Sequence, residues 1–555
     1  MAYVITQRCC NDASCVAECP VDCIRPRPDD PAFARAELLH IDPDTCIDCG
    51  ACVDACPVDA IYGADELPPA LARYAEINAA YFERNPLDTS IAPATAVVRL
   101  PRDTDALRVA IVGTGPAACY VTEQLLGRGR VEIDMFDRLS APWGLARYGV
   151  APDHPETRGV TNGFAAAFKR DSVRMHLNVE IGRDVTHDEL LSHFHAVVYA
   201  VGASADRRLG VPGEDLAGSC SATEFVAWYN GHPDFADREF DLSGERAVIV
   251  GNGNVALDVA RILTADPELL AQTDIADHAL EALRHSGIRE VVLLGRRGVQ
   301  HAAYTGPEFL ALGHREGVDV VVDPSDLDEG VVAVLADPGT DAALRLKLRL
   351  AGEYARRARV ADRCIVFRFL VSPTRLHGSD RVEAITIAHN QLSDGEHGSP
   401  VAATERTETL GASLVLRAIG YRGLPSADVP FDPALGVIPN VRGRVVDARG
   451  ESVPGAYTAG WIKRGPRGVI GTNRGDAEET VNELIADFLD GRLREPARGP
   501  ESFTQLLTRR CPRRVDYAGW MAIDAAERAG GAAARRPRVK FVRADDMIAL
   551  VRNGV

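Results

Sequence analysis

Cysteine placement constrains this chain more than any other feature: nine of its 13 cysteines fall within the first 56 of 555 residues. Such crowding means either a disulfide framework or a metal site. Disulfide frameworks belong to small secreted domains. The opening MAYVITQRCC has no basic segment leading into an apolar one, so it does not read as an export signal. Metal is the better reading. The run Cys46-x2-Cys49-x2-Cys52-x3-Cys56-Pro57 places three thiolates around one iron–sulfur cube and sends the fourth across to a neighbour. An earlier half ends the same way, Cys15-x3-Cys19-Pro20. Crossing the ligands gives Cys19, Cys46, Cys49 and Cys52 to a [4Fe-4S] cluster. A zinc module is disfavoured, because one tetrahedral ion takes its ligands in separated pairs.

The second cluster receives Cys9, Cys15 and Cys56, and spacing puts its fourth ligand at position 12, where Asp12 stands. A carboxylate is a harder, weaker ligand for iron than a thiolate. This cluster is therefore expected to be [3Fe-4S], or [4Fe-4S] with Asp12 or a water on the labile iron. Cys10 could substitute for Cys9, and Cys23 reads as a buried spare thiol. Residues 1–66 resemble a two-cluster bacterial ferredoxin of the seven-iron kind, with Cys9 and Cys15 closer together than usual. The resemblance implies an α+β head. Residues 1–62 carry four basic against eleven acidic side chains, which suits a basic docking partner. Residues 67–106 hold five prolines and read as a tether with a short helix near Ala72–Phe82. A linker of about 40 residues would keep the head near the rest at an effective concentration on the order of millimolar.

Two later segments share another pattern. Arg108-Val-Ala-Ile-Val-Gly113-x-Gly115-x-Ala117-Ala118 is an apolar strand entering a Gly-rich turn and a helix, and Asp137 ends the next strand. Glycines there admit a pyrophosphate to the helix N-terminus, and the acid accepts from ribose hydroxyls. Arg246-Ala-Val-Ile-Val-Gly251-Asn252-Gly253-Asn254-Val255-Ala256 repeats the pattern, but its next strand ends in Arg296 and Arg297 instead of an acid. Guanidinium forks suit a 2′-phosphate, so this unit is expected to take NADP(H) and the first one FAD. His195–Gly202 and Ser413–Gly420 resemble each other and look like paired crossover strands between two dinucleotide domains. The expected layout is a ferredoxin head (1–66), a linker (67–106), a first FAD segment (107–202), an inserted NADP domain (203–411) and a second FAD segment with a C-terminal extension (412–555). The body is then α/β with two dinucleotide sites.

The segments Pro142–Pro155, Gly251–Arg261, Gly295–Gly298 and Gly460–Ile470 resemble adrenodoxin reductase, whose family comprises FAD-containing ferredoxin–NADP reductases. With its head, the whole chain resembles the fused ferredoxin/ferredoxin–NADP reductases of mycobacteria. The resemblance implies that Ala117, Asp137, Leu145 and Ile181 contact FAD, and that Trp461, Gly468, Val469 and Ile470 lie along the isoalloxazine. It also implies NADP contacts from Asn252–Val255, Arg296, Arg297 and Glu308, with His154 and Glu308 as proton-handling groups. Lys463 and Arg464 are expected to add positive charge beside the flavin.

The resulting expectation is an NADPH-dependent flavoprotein. Hydride passes from NADPH to FAD, and single electrons then pass through the clusters to a separate ferredoxin, a haem monooxygenase or another one-electron acceptor. A glutamate-synthase small-subunit-like electron-transfer chain, and a redox sensor or carrier that does not turn over, are the alternatives. The formal charge of −17 argues against nucleic acid or an anionic membrane as partner. No apolar run approaches the roughly 18 residues of a membrane span. A cytoplasmic location is expected.

Overall fold

The computed structural model describes residues 2–87, 98–327, 329–392, 401–426 and 428–553. The head is built twice over. Tyr3–Ile5 pairs antiparallel with Ile61–Gly63, and Ile24–Arg25 pairs with His40–Ile41. Short helices Ser14–Glu18 and Ala51–Ala55 follow the two cysteine loops. The halves match at a shift of 37 residues: Asn11 and Asp48, Ala13 and Gly50, and Asp22 and Asp59 all have positive φ. The same shift carries Cys9, Cys15 and Cys19 onto Cys46, Cys52 and Cys56, and it carries Asp12 onto Cys49.

The described first part of the segment expected to be a tether, residues 67–87, packs with the head. Helix Arg73–Phe82 buries Tyr74 and Asn78. The Asn78 carboxamide accepts from Ile5 N–H (3.2 Å) and Ile41 N–H (2.9 Å) and donates to Ile5 C=O (2.9 Å), so it joins the two small sheets. Tyr81 stacks on His40 with ring centroids 4.2 Å apart. Proline spacing does not register such bonds, because they are made by side chains facing inward.

Two large sheets form the body, one mixed and one all parallel. One has seven strands, with Ala196–Tyr199, Leu107–Val112, Val131–Asp137 and Val173–Leu177 side by side and parallel. Ser452–Thr458 joins it alongside Ala196–Tyr199. The other has six strands, with Arg246–Val250 between Leu414–Arg417 and Glu290–Leu294. Strand Leu414–Arg417 thus belongs to the second sheet, although the layout expected from sequence assigned everything after 411 to the FAD portion. The chain passes between the sheets just afterwards, where Tyr421–Arg422 pairs antiparallel with Ala205–Asp206. An antiparallel three-stranded sheet, Val371–His377, Ala384–Leu392 and Val401–Gly411, packs beside the six-stranded one.

The head is not loosely attached. Cys10, Val58 and Ala60 are buried in the same apolar core as Leu107, Val109 and Phe164 of the seven-stranded unit. Ile5 and Tyr74 share a second core with Phe309 and Tyr354 of the six-stranded unit. Polar bonds edge both seams: Arg8 pairs with Glu156 at 2.8 Å, and Lys347 pairs with Glu37 at 2.6 Å. Apolar burial, at about 25 cal/mol per Å², is what fixes the head in place, so an effective concentration set by a flexible linker is the wrong picture. The C-terminal helices complete the body. Glu527 is fully buried and takes a two-pronged bond from Arg147, at 3.0 and 2.5 Å. Among the described residues no helix is long and apolar enough to cross a membrane.

Candidate functional site

Both Gly-rich turns are built alike. Strand Leu107–Val112 runs into Gly113-Thr114-Gly115, and helix Pro116–Leu126 begins with Pro116 in its first turn. Gly113 has φ 112°, and a Cβ there would lie 2.4 Å from the Ala200 carbonyl oxygen; Gly251 has φ 118° and would meet the Ala418 oxygen at 2.2 Å. Neither position can carry a side chain, because each turn is pressed against the end of its own crossover strand. Gly253 meets no atom within 4 Å, so the mouth of helix Asn254–Thr264 stands open. An open helix N-terminus with free N–H groups is suited to a diphosphate. Asp137 sits at the end of its strand and accepts from Thr114 N–H (3.1 Å), the Thr114 hydroxyl (2.6 Å) and Leu139 N–H (3.0 Å). Burial pushes its carboxyl up, and these hydrogen bonds oppose the rise. Ala118 is buried beneath the first turn. Leu145 opens helix Leu145–Tyr148 after Gly144, which lies over Gly115, and Ile181 is buried beyond the Val173–Leu177 strand.

Arg296 is exposed and Arg297 half-buried after strand Glu290–Leu294. Among the described residues neither guanidinium has an acidic partner, in a chain where most arginines have one. Asn254 Oδ1 accepts from Thr305 N–H at 2.8 Å and Asn252 Oδ1 from Ala303 N–H at 3.4 Å, which folds the 303–305 segment onto the turn beside Val255.

Between the two units lies a polar cluster. His154, Asp258 and Glu308 bring ligand atoms within 4.8 Å of one another. Arg261 is the centre of its charge balance, bonding Asp153 at 2.7 and 3.1 Å, Asp258 at 2.8 Å and Glu308 at 3.3 Å. Burial, the largest single influence, pushes Asp153 up, but Arg261, His154 and Arg315 together hold the carboxyl down at about 2. Burial pushes Asp258 up, against the pull of Arg261 and His154. The head reaches this cluster too, through Gln7 Nε2 donating to Glu308 at 3.2 Å. Sequence reasoning singled out His154 and Glu308 but missed Asp153, Asp258 and Arg261. The signal existed, since Asp258 and Arg261 are one turn apart on the helix that follows the Gly-rich turn.

The Gly460–Gly471 loop closes over the first turn, because a Cβ on Gly460 would stand 2.5 Å from Ala117 Cβ. Trp461 opens helix Trp461–Arg464 and tilts against Tyr421, with ring centroids 5.3 Å apart. Gly468 and Val469 are exposed and Ile470 is half-buried. Lys463 and Arg464 do not supply free positive charge. Lys463 Nζ is buried against Glu479 (2.8 Å) and Asp476 (3.2 Å), and Arg464 pairs with Asp476 at 3.2 Å. Gly471, which ends this loop, donates its N–H to the Cys10 carbonyl of the head at 2.8 Å.

Two cavities open in the head. One is lined by Cys9, Cys15 and Cys56, with Cys10 and Asp12 at its wall. The other is lined by Cys19, Cys46, Cys49 and Cys52, with Cys23 beside them. All thirteen cysteines are free. Burial pushes the Cys9 thiol up to about 11 and the Cys52 thiol up to about 12, so thiolates at these depths require a cationic partner. A set of soft sulfur donors around a small cavity fits iron–sulfur chemistry, and the open glycine turns fit dinucleotides. The Asp12 carboxylate is already held: Oδ2 accepts from the Tyr120 hydroxyl at 2.7 Å, and Oδ1 accepts from Ser14 N–H at 3.1 Å.

Comparison with known proteins agrees with this architecture. Residues 39–62 match the Fer4 family model, a 4Fe-4S binding domain. The "Probable ferredoxin/ferredoxin--NADP reductase" of Mycobacterium tuberculosis is 49% identical over 562 aligned residues, spanning 99% of this chain and 95% of that one. The NADPH-ferredoxin reductase FprA of the same organism is 45% identical and aligns with 79% of this chain and 98% of its own. A solved structure of Mycobacterium tuberculosis FprA in complex with NADPH superposes with a TM-score of 0.76 at 42% identity, covering 81% of this chain and all of that one. A two-cavity thiol head seated on two dinucleotide turns, matched along nearly its whole length by such a relative, places this chain in the ferredoxin/ferredoxin–NADP reductase family.

Proposed function

We propose that this protein oxidises NADPH and delivers its electrons singly, through the head, to an outside acceptor. When bound, FAD would supply the exchange between a hydride and single electrons, and iron–sulfur clusters would supply one-electron carriage. The chain's residues set the geometry. Gly113, Gly115, Ala117 and Asp137 hold the flavin nucleotide, with Leu145, Ile181 and the 461–470 loop around its ring. Asn252, Gly253, Asn254 and Val255 seat the NADP diphosphate, and Arg296 and Arg297 grip its 2′-phosphate. His154 and Glu308, buffered by Asp258 and Arg261, line the space between the two and order the water and protons there.

The carrying observation is the bond from Gly471 N–H to the Cys10 carbonyl, 2.8 Å. It ties the loop assigned to the flavin ring to the loop of the three-cysteine cavity, which makes that cavity the entry port for electrons. The four-cysteine cavity is the exit. Its Cys49 is exposed and neighbouring Ile47 is 58% exposed, next to exposed Asp44 and Asp48. An acidic rim around an apolar tip suits a basic-faced carrier such as a separate ferredoxin-type protein or a haem monooxygenase. The six cysteines outside the two cluster sets form no disulfide, which suits a reducing compartment, and we place the reaction in the cytoplasm.

Anaerobic rapid mixing of the holoprotein with NADPH tests the reading. Flavin absorbance should bleach within seconds, followed by cluster reduction seen by low-temperature paramagnetic resonance. A flavin that stays oxidised would favour a sensor or carrier.

A further inference from the structure

The 37-residue repeat sets Asp12 in the position of Cys49, yet the two residues face different surroundings. Cys49 is exposed, whereas Asp12 is only 8% exposed, sealed under the flavoprotein body. Its Oδ2 takes the hydroxyl hydrogen of Tyr120, itself 1% exposed, across 2.7 Å. Its Oδ1 takes Ser14 N–H and the Ser14 hydroxyl. Arg474 completes the set, 3.4 Å from Oδ1, 3.1 Å from the Asp12 carbonyl and 2.9 Å from Ser14 Oγ. Next to this triad the Gly471 N–H bonds Cys10 C=O, and a Cβ on Gly471 would fall 2.1 Å from the Asn11 carbonyl carbon. The head and the body touch here backbone to backbone.

We propose that Asp12 is a positioning residue, a latch that seats the three-cysteine half of the head on the flavoprotein body through Tyr120 and Arg474 and does not ligate iron. A ligand role would require the carboxylate to swing away from Tyr120. That would strand a buried hydroxyl and leave Arg474 with less of its partner, a loss comparable to breaking a buried charged hydrogen bond. The first cavity then keeps three thiolates, Cys9, Cys15 and Cys56. The substitution of Cys49's counterpart by an acid thus does two things: it removes a cluster ligand and adds a clasp between domains. This deepens the proposed entry port and rests on that reading of the cavity.

The test uses holoprotein carrying Asp12→Ala, Tyr120→Phe or both. Hydrogen exchange at the Gly471 amide reports seating, and paramagnetic resonance of the oxidised protein reports the nuclearity of the first cluster. The expected result is exchange about ten-fold or more faster in each single variant. The double variant should add little to either, and the cluster signal should be the same in all three. Tyr120→Phe acts from the body side and leaves the cysteine loop intact, so it decides the matter even where Asp12→Ala fails to assemble. Unchanged exchange in Tyr120→Phe overturns the latch. So does a cluster signal altered by Asp12→Ala and not by Tyr120→Phe, which would make Asp12 a ligand. Protein without iron in any variant, wild type included, would sink the reading of the cavity while leaving the exchange measurement of the latch valid.

Discussion

Arg261 reaches out of the helix of the second dinucleotide unit and grips Asp153 of the first with two hydrogen bonds, 2.7 and 3.1 Å long. The pair is nearly dry, with side chains 5% and 14% exposed. Because Asp258 and Glu308 lean on the same guanidinium, Arg261 answers three carboxylates, and Arg315 adds a second contact to Asp153 alone at 3.2 Å. Removing Arg261 leaves the largely buried carboxylates of Asp258 and Glu308 without their ion-pair partner. Arg261→Ala is expected to cost about 3–5 kcal/mol, the range for breaking one side of a buried ion pair. Denaturant unfolding of the holoprotein measures this. Arg261→Lys should recover only part, since an ammonium cannot fork across Asp153.

The same pair predicts an acid limb. Asp153 titrates near 2 when folded, below the usual value of about 3.9 for an unfolded aspartate. A depressed carboxyl contributes stability that is present above its unfolded value and is lost as pH falls toward the folded one, here from about pH 4 to about 2. His232 adds an earlier window. Burial against Tyr148 holds its ring down at about 4, so the neutral form is favoured in the fold. Stability tied to it is lost as pH falls from about 6.5 toward 4. His40, also held down at about 4 by burial, shares this window. Melting temperature against pH should therefore drop in two steps, and His232→Gln should shrink the upper one.

Much of the head was legible because iron–sulfur ligands lie on short loops, where spacing in sequence is spacing in space. Cys9, Cys15 and Cys56 around one cavity, with Cys19 crossing to the other three, follow from counting alone. The glycine turns were legible for the same reason. What could not be read was anything set by distant partners. Asp12 meets Tyr120 and Arg474, 108 and 462 residues away. Lys463 and Arg464 looked like free charge until Asp476 folded back onto both of them. The proline-marked stretch passed for a tether because the carboxamide of Asn78, which binds it to the head, carries no periodic signature. Local chemistry is written locally; how modules are seated on one another is not.

Cofactor preference should reside in Arg296 and Arg297. Replacing both by alanine is expected to raise KM for NADPH by about ten- to a hundred-fold, the value of one or two charge-assisted phosphate contacts, while leaving NADH turnover nearly unmoved. Steady-state kcat/KM for the two nucleotides, compared as a ratio, checks this. Equal losses with both would mean the arginines only hold the loop.

The seam between loops predicts how the two half-reactions separate. In Gly471→Ala the new methyl would fall about 2.1 Å from the Asn11 carbonyl carbon and 2.2 Å from the Asp12 nitrogen, well inside contact distance. Both are backbone atoms and cannot rotate away, so the head must lift from the body. Reduction of a small dye by NADPH should fall less than reduction of a protein acceptor, by about ten-fold in the ratio, since electron entry to the head depends on the seam. Equal falls in both would place the damage in the flavin loop itself.

Delivery to the outside acceptor should be electrostatic in its approach. The head's acids Asp44, Asp48, Asp54 and Asp59 are all exposed. Screening shortens the reach of such a field to about 8–10 Å near physiological ionic strength. The second-order rate with a basic-faced protein acceptor should therefore fall steeply as salt rises, while the first-order reduction of flavin by saturating NADPH stays flat. Asp44→Asn with Asp48→Asn should lower the rate at low salt and flatten its salt dependence together. If the slope survives both changes, the acceptor docks elsewhere, and the exposed edge around Cys49 and Ile47 is not the exit.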